Sequence, residues 1–119
     1  METALLVKPI CSRRFSTRIE LHDRVCVYWS CAGKDDLSLI RDVSIGGLFI
    51  TTPKPRSLGA TAKVVFLVPD GQIRAEAVIR HVVPSIGFGL KFTALVKEDL
   101  PNLAALMARL RSTQIRCRG

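Results

Sequence analysis

The feature that most constrains the fold is a pair of apolar, strand-like runs joined by the turn residues Pro69-Asp70-Gly71. Lys63 to Val68 lies before the turn, and Ile73 to Val83 returns after it with a similar content of valine and isoleucine. Asp-Gly between apolar runs favours a tight reversal, and β-branched residues favour extended backbone on both sides. This part of the sequence therefore predicts a β-hairpin with one long returning strand.

Further strand-like runs lie on both sides of this hairpin. Val25 to Trp29 is β-branched and aromatic, and the turn formers Gly33 to Asp36 follow it. The other runs are Leu37 to Val43, Leu48 to Thr52 and Gly87 to Phe92, with a break at Ser44 to Gly47 and a loop at Pro53 to Gly59. About six short strands with hairpin-like connections predict an all-β, mainly antiparallel fold, a small six-stranded barrel.

The C-terminal part of the chain changes to helical spacing. Leu103, Leu106, Met107 and Leu110 recur at intervals of three and four residues. Proline is tolerated in the first turn of a helix, so the sequence predicts a helix from about Pro101 to Arg111. Its apolar stripe is expected to cover an open side of the sheet.

Length and charge limit the organisation and the partner. At 119 residues and 48% hydrophobic content, the chain can bury one core. The predicted arrangement is a flexible lead-in at 1–11, one domain at 12–111 and a basic tail at 112–119. A net charge of +8 favours an anionic partner. The irregular cysteine spacing, and the absence of a signal-peptide pattern or a long apolar run, predict a cytoplasmic protein with free thiols.

The residue pattern does not favour catalysis or metal binding. His22, Cys26 and Cys31 suggest zinc at first sight, but strand parity turns Cys31 away from the other two. His81 has no candidate nucleophile beside it in the sequence. We therefore expect no catalytic residue, no metal and no cofactor.

Two polar clusters indicate what the domain binds. Arg13-Arg14 and Arg18 form an arginine-rich segment with Arg-x-x-x-Arg spacing, and Asp42-x-Ser44-x-x-Gly47 lies in the break between two predicted strands. Arginine presents a planar donor fork that matches phosphates and the O6/N7 edge of guanine. Aspartate and serine oxygens can accept hydrogen bonds from the opposite guanine edge. Together they suit a guanine nucleotide that carries two phosphates.

These motifs, in this order and separation, resemble the PilZ domain family of bacterial cyclic di-GMP receptors. The resemblance covers roughly Ser12 to Arg111 and includes the strand Gly89-Leu90-Lys91-Phe92 before a terminal helix. It implies that Arg14, Arg18, Asp42, Ser44 and Gly47 bind cyclic di-GMP. Arg13 is expected to assist, and to favour a stacked pair of ligand molecules.

The expected mechanism is an ordering of the N-terminal arginine loop on ligand binding, which would change the surface offered to an effector protein. Three other interpretations stay open from the residues. Arg13, Arg14 and Arg18 could form a solvated basic stretch, and Asp42, Ser44 and Gly47 could simply form a turn. The domain could share the fold but serve only protein interaction. It could also be a basic barrel that binds single-stranded nucleic acid.

Overall fold

The computed structural model describes residues 6–7, 19–21 and 25–118, with 113–118 described for the backbone alone. Within these ranges the chain forms eight strands, one short 3-10 helix and one α-helix. The strands are β1 (Leu6–Val7), β2 (Ile19–Glu20), β3 (Cys26–Cys31), β4 (Lys34–Ser44), β5 (Gly47–Thr51), β6 (Thr61–Val68), β7 (Gly71–Val83) and β8 (Gly87–Val96). The 3-10 helix Lys97–Asp99 leads directly into α1 (Leu100–Arg118).

Strands β3 to β8 form a closed antiparallel barrel. Their order around it is β8, β5, β4, β3, β6 and β7, and β7 pairs with β8 to complete the circle. The two short strands lie beside this barrel, β1 against the end of β8 and β2 against the end of β4. Among the described elements, this arrangement confirms the predicted six-stranded antiparallel barrel with a C-terminal helix.

The barrel interior is filled by alternate residues of each strand. In β6 the buried Ala62, Val64, Phe66 and Val68 alternate with exposed positions, as expected for a strand that covers the core with one face. Trp29 is fully buried, and its ring centroid lies 5.1 Å from that of Phe88 in an edge-to-face contact. Its indole nitrogen donates a hydrogen bond to the Ser38 hydroxyl at 3.0 Å.

Helix α1 packs against the barrel beside the β6–β7 turn. Leu103, Leu106 and Met107 are buried in the core, which confirms the apolar stripe. Two polar links fix the helix: the Arg109 guanidinium donates to the Asp70 carboxylate at 2.8 and 3.0 Å, and the Asn102 amide donates to the Gln72 carbonyl at 2.9 Å. The helix continues to Arg118 rather than ending at Arg111.

A second contact fixes the entry to the helix. The buried carboxylate of Asp99 accepts hydrogen bonds from the backbone amide of Arg74 at 3.0 Å and from its guanidinium at 2.8 and 3.2 Å. One carboxylate therefore satisfies both the strand backbone and the charged side chain of β7. This bidentate contact sets where the chain turns from β8 into α1.

The predicted turn at Gly33 to Asp36 is wrong in its position. The reversal between β3 and β4 occurs at Ala32 and Gly33, which have φ values of 54° and 78°. Two successive residues with positive φ make a tight hairpin whose twist matches that of the flanking strands. Asp35 and Asp36 therefore belong to β4, where Asp35 accepts a hydrogen bond from the exposed Tyr28 of the neighbouring strand.

The strands β1 and β2 were not predicted from the sequence, because two residues are too few to show a periodic pattern. No helix in the described part of the chain is both long and apolar enough to cross a membrane.

Candidate functional site

The motif Asp42-x-Ser44-x-x-Gly47 spans the end of β4, a two-residue turn and the start of β5. Val43 and Leu48, which pair across these strands, both belong to the hydrophobic core. Side chains alternate along a strand, so Asp42 and Ser44 face away from the core. This agrees with the expectation that the two polar residues point to the same side of the sheet.

A row of directly paired residues crosses the outside of the barrel at Asp42. Glu20 pairs with Asp42, Asp42 with Phe49, Phe49 with Gly89, and Gly89 with His81. Directly paired residues share one side of a sheet, so this row extends from β2 across β4, β5 and β8 to β7. We call the outer surface formed by this row together with Arg41, Ser44, Gly47 and Lys91 the motif face.

Phe49 lies on the motif face rather than in the core. Its neighbours Leu48 and Ile50 belong to the core cluster, and Phe49 does not, although only 3% of its surface is exposed. It lies close to Gly87 and Gly89, since a Cβ added at either glycine would approach the Phe49 ring to 2.7 and 3.8 Å, respectively. The glycines therefore leave room for an aromatic ring on the outside of the barrel.

Arg41 covers this ring. The pairing of β4 with β5 shifts between Ile40 and Asp42, which leaves Arg41 as the extra residue of a β-bulge. The central carbon of its guanidinium lies 3.7 Å from the centroid of the Phe49 ring, and its Nε donates to Asp42 Oδ2 at 3.0 Å. The motif face thus carries a cation–π contact and an ion pair next to the predicted site residue Asp42.

Ser44 and Gly47 have structural roles in this turn. The Ser44 hydroxyl donates to the Gly47 carbonyl at 3.3 Å and accepts a hydrogen bond from the Gly46 amide at 3.2 Å. A Cβ on Gly47 would lie 2.0 Å from the Leu90 carbonyl oxygen, so only glycine allows β8 to approach here. A hydroxyl has one donor and two lone pairs, which leaves Ser44 able to accept one further hydrogen bond.

Positive charge also borders the motif on the β8 side. Lys91 is exposed and pairs with Gly47, which itself pairs with Ser44. Its ammonium-bearing side chain is therefore on the same side of the barrel as the motif. In addition to the Asp42 carboxylate, the motif face thus carries two cationic side chains, those of Arg41 and Lys91.

The predicted site residues Arg13, Arg14 and Arg18 lie outside the described residues. The described strand β2 begins directly after them in the sequence, and its first residue, Ile19, pairs with Val43. Val43 is the residue between Asp42 and Ser44. The strand that directly follows the arginines therefore lies beside Asp42 and Ser44.

The structure also tests the geometry of the rejected zinc site. Cys26 is exposed and Cys31 is buried, so the two thiols lie on opposite faces of β3, as strand parity predicted. His22 lies outside the described residues. Within the described ranges no three His, Cys, Asp or Glu side chains group closely enough to hold a metal ion.

Arg41 and Phe49 were not identified as site residues from the sequence. Strict alternation would place Arg41 on the side opposite to Asp42, and the bulge that removes this alternation has no marker in the sequence. Phe49 lies within the apolar run Leu48-Phe49-Ile50, which does not distinguish core from outer positions. The glycines at 87 and 89 were the one available signal, because glycine in a strand often marks a close approach.

The described chain is thus a small closed antiparallel barrel with a polar motif on its outer side and a C-terminal helix. The model of the PilZ domain family matches residues 12–109 of the chain, and the chain belongs to that family. This confirms the resemblance drawn from the two motifs. No curated protein matches the sequence.

Solved structures show the same fold. The Bacillus subtilis inhibitor of motility MotI/DgrA matches with a TM-score of 0.68 at 18% identity, over 89% of this chain and 53% of that one. K. pneumonia MrkH in its complex with c-di-GMP matches with a TM-score of 0.63 at 19% identity, over 90% of this chain and 55% of that one. MrkH in its apo state gives a TM-score of 0.60 at 22% identity, over 92% and 55%. The chain spans about half the length of these proteins.

Proposed function

We propose that this PilZ domain is a cyclic di-GMP receptor that acts as an adaptor without catalysis. The observation that carries the proposal is the outward position of Asp42 and Ser44 beside β2, the strand that begins directly after Arg18. The family to which the chain belongs and the ligand in the MrkH complex support the same assignment.

The ligand chemistry fits the motif face. Cyclic di-GMP carries two anionic phosphodiesters and two guanines, so a receptor needs cations for the phosphates and acceptors for the guanine N–H groups. The Asp42 side chain is only 10% exposed, and such surroundings strengthen the hydrogen bonds of its carboxylate. Ser44 has the capacity for one further accepted hydrogen bond. Lys91 adds positive charge on the β8 side of the motif.

The arginines are supplied by the chain that precedes β2. Arg18 directly precedes Ile19 in the sequence, and Ile19 pairs with Val43, the residue between Asp42 and Ser44. We propose that the long side chain of Arg18 reaches a ligand resting against Asp42 and Ser44. Arg14 is four residues earlier and would contact a different part of the same ligand.

We further propose that ligand binding orders the arginine segment. The mutual repulsion of Arg13, Arg14 and Arg18 would be cancelled by the two phosphates, and the segment would then fold against the motif face. The newly formed surface would be the signal that an effector protein recognises. Hydrogen exchange across residues 8–18 should slow on addition of cyclic di-GMP, and an unchanged exchange rate there would exclude this mechanism.

We also propose that Arg13 affects how many cyclic di-GMP molecules bind to each chain. A third guanidinium next to Arg14 could contact a second ligand molecule stacked on the first, giving two molecules per chain. Calorimetry should then return a stoichiometry near two for the parent protein and near one for Arg13→Ala. A value of one for both proteins would remove this part of the proposal.

The proposed function is tested by calorimetric titration of the purified protein with cyclic di-GMP, GTP and a short single-stranded oligonucleotide. We expect binding of cyclic di-GMP and a loss of about tenfold to a hundredfold in affinity for Arg18→Ala, since a charged hydrogen-bonded pair is removed. Arg111→Ala, which removes an exposed arginine from α1, serves as the matched control and should bind as the parent does.

The other interpretations give different results in the same titration. A protein-interaction module with this fold would bind none of the three ligands. A nucleic-acid-binding barrel would prefer the oligonucleotide, show little guanine preference and lose affinity steeply with salt. Equal affinities of the parent and Arg18→Ala for cyclic di-GMP would also overturn the assignment of the arginine motif.

A further inference from the structure

We propose that Arg41, together with Phe49 beneath it, forms a stacking platform for one guanine base of the ligand. This inference rests on the proposed cyclic di-GMP receptor function and adds a binding residue outside the Arg-x-x-x-Arg and Asp-x-Ser-x-x-Gly motifs. It assigns Arg41 a direct contact with the base rather than a structural role in the barrel.

The first argument is the geometry of the guanidinium. Its central carbon lies 3.7 Å from the centroid of the Phe49 ring, so one face of the planar group is in van der Waals contact with the ring. The Arg41 side chain is nevertheless 49% exposed. A planar cation with one face on an aromatic ring and half of its side chain in solvent can receive a purine on its other face.

The second argument is that the guanidinium is held in place before ligand binds. Its Nε donates to Asp42 Oδ2 at 3.0 Å, and the bulge in β4 brings it to the same outer side as Asp42. Phe49 is itself fixed in the space above Gly87 and Gly89. A long side chain that is already ordered loses less conformational entropy on binding than a mobile one.

The third argument is the position of this stack relative to the motif. The Arg41 guanidinium donates a hydrogen bond to Asp42, which is proposed to bind a guanine edge. A base stacked on Arg41 would therefore have its polar edge near the Asp42 carboxylate and the Ser44–Gly47 turn. The chain contains few aromatic residues on which a base could stack. In the described part of the motif face, Arg41 covers the ring of Phe49, so a base would stack on the guanidinium.

A different role for Arg41 would be to position Asp42 through the ion pair. The two roles make different demands on the side chain. Positioning requires a cation near Asp42, which lysine also supplies. Stacking requires the flat delocalised guanidinium, which lysine lacks.

The test is calorimetric titration with cyclic di-GMP of the parent, Arg41→Ala, Arg41→Lys and the exposed-arginine control Arg111→Ala. We expect both Arg41 variants to lose about tenfold or more in affinity, because a stacked base is lost in each, and the control to match the parent. The absorbance of bound guanine, recorded on the same samples, should show hypochromism in the parent and less of it in Arg41→Lys. Melting temperatures verify that the variants are folded.

Each result bears on one claim. Parent-like affinity and hypochromism in Arg41→Lys would overturn stacking and leave a positioning role, and parent-like affinity in Arg41→Ala would overturn any contribution of Arg41. A parent protein that binds no cyclic di-GMP would overturn the proposed function together with this inference.

Discussion

Substitution of alanine for each of the adjacent glycines at 46 and 47 should have very different effects on stability. A Cβ on Gly47 would lie 2.0 Å from the Leu90 carbonyl oxygen, 3.0 Å from its carbonyl carbon and 3.2 Å from the Lys91 Cα. All three atoms belong to the backbone of β8, so no side chain can rotate away. A Cβ on Gly46 would meet only the Ser44 hydroxyl oxygen, at 4.0 Å.

The size of the effect follows from this geometry. Relieving a 2.0 Å contact requires β5 and β8 to separate by more than about 1 Å at the Gly47–Lys91 pair. Overpacking of this kind costs about 1–3 kcal/mol, and weakening of neighbouring bonds such as Phe92 N to Gly46 O, now 2.8 Å, adds about 1 kcal/mol. We therefore expect Gly47→Ala to lower the free energy of unfolding by about 3 kcal/mol. Gly46→Ala should change it by less than about 1 kcal/mol.

Urea denaturation followed by tryptophan fluorescence measures both variants, because Trp29 is buried in the core and is the one tryptophan of the chain. The Tm of Gly47→Ala should fall by on the order of 10 °C, and that of Gly46→Ala should stay near the parent value. Equal unfolding free energies for the two variants would refute the view that Gly47 is required by the close approach of β8.

Two further predictions concern stability. Asp99→Ala should lower the free energy of unfolding by about 3 kcal/mol in urea denaturation, because the Arg74 amide and guanidinium lose their acceptor. Glu98→Ala, which removes an exposed carboxylate, should change it by less than about 0.5 kcal/mol. Similar losses in both variants would contradict the role given to Asp99. The hydrogen bond from Tyr28 lowers the pKa of Asp35 below its ordinary value of 3.8. The resulting stabilisation is therefore complete above pH values near 4 and is lost as pH falls through the lower folded-state pKa. Tyr28→Phe should raise the Asp35 pKa in an NMR carboxyl titration, and an unchanged pKa would show that the hydrogen bond does not form.

The barrel was predictable because its physical signals are local and repeated. Apolar alternation, glycine-containing turns and the helical spacing near the C-terminus each fix one element, and antiparallel strands in series close most simply into a barrel. Local signals were weaker where the same residues are compatible with two positions of a turn. Gly33, Asp35 and Asp36 all favour turns, and only the positive φ of Ala32 and Gly33 locates the reversal.

The candidate site was predictable in part. Asp42 and Ser44 could be assigned to one outer face because strand alternation extends over two residues without interruption. The contact between Arg41 and Phe49 could not be predicted from the sequence. It depends on a bulge and on the space above Gly87 and Gly89, which are properties of the paired strands. The structural need for Gly47 likewise comes from β8, which is distant in the sequence.

The central claim is that cyclic di-GMP binds on the motif face, next to the strand that follows the arginines. Mapping of backbone amide chemical shifts during a cyclic di-GMP titration tests both binding and its location. The account predicts that the largest changes fall at Asp42 to Gly47 and at Glu20, with little change at the opposite Ala32–Gly33 turn. A saturating titration that leaves Asp42 to Gly47 unshifted, or whose largest shifts lie at the Ala32–Gly33 end, would contradict it.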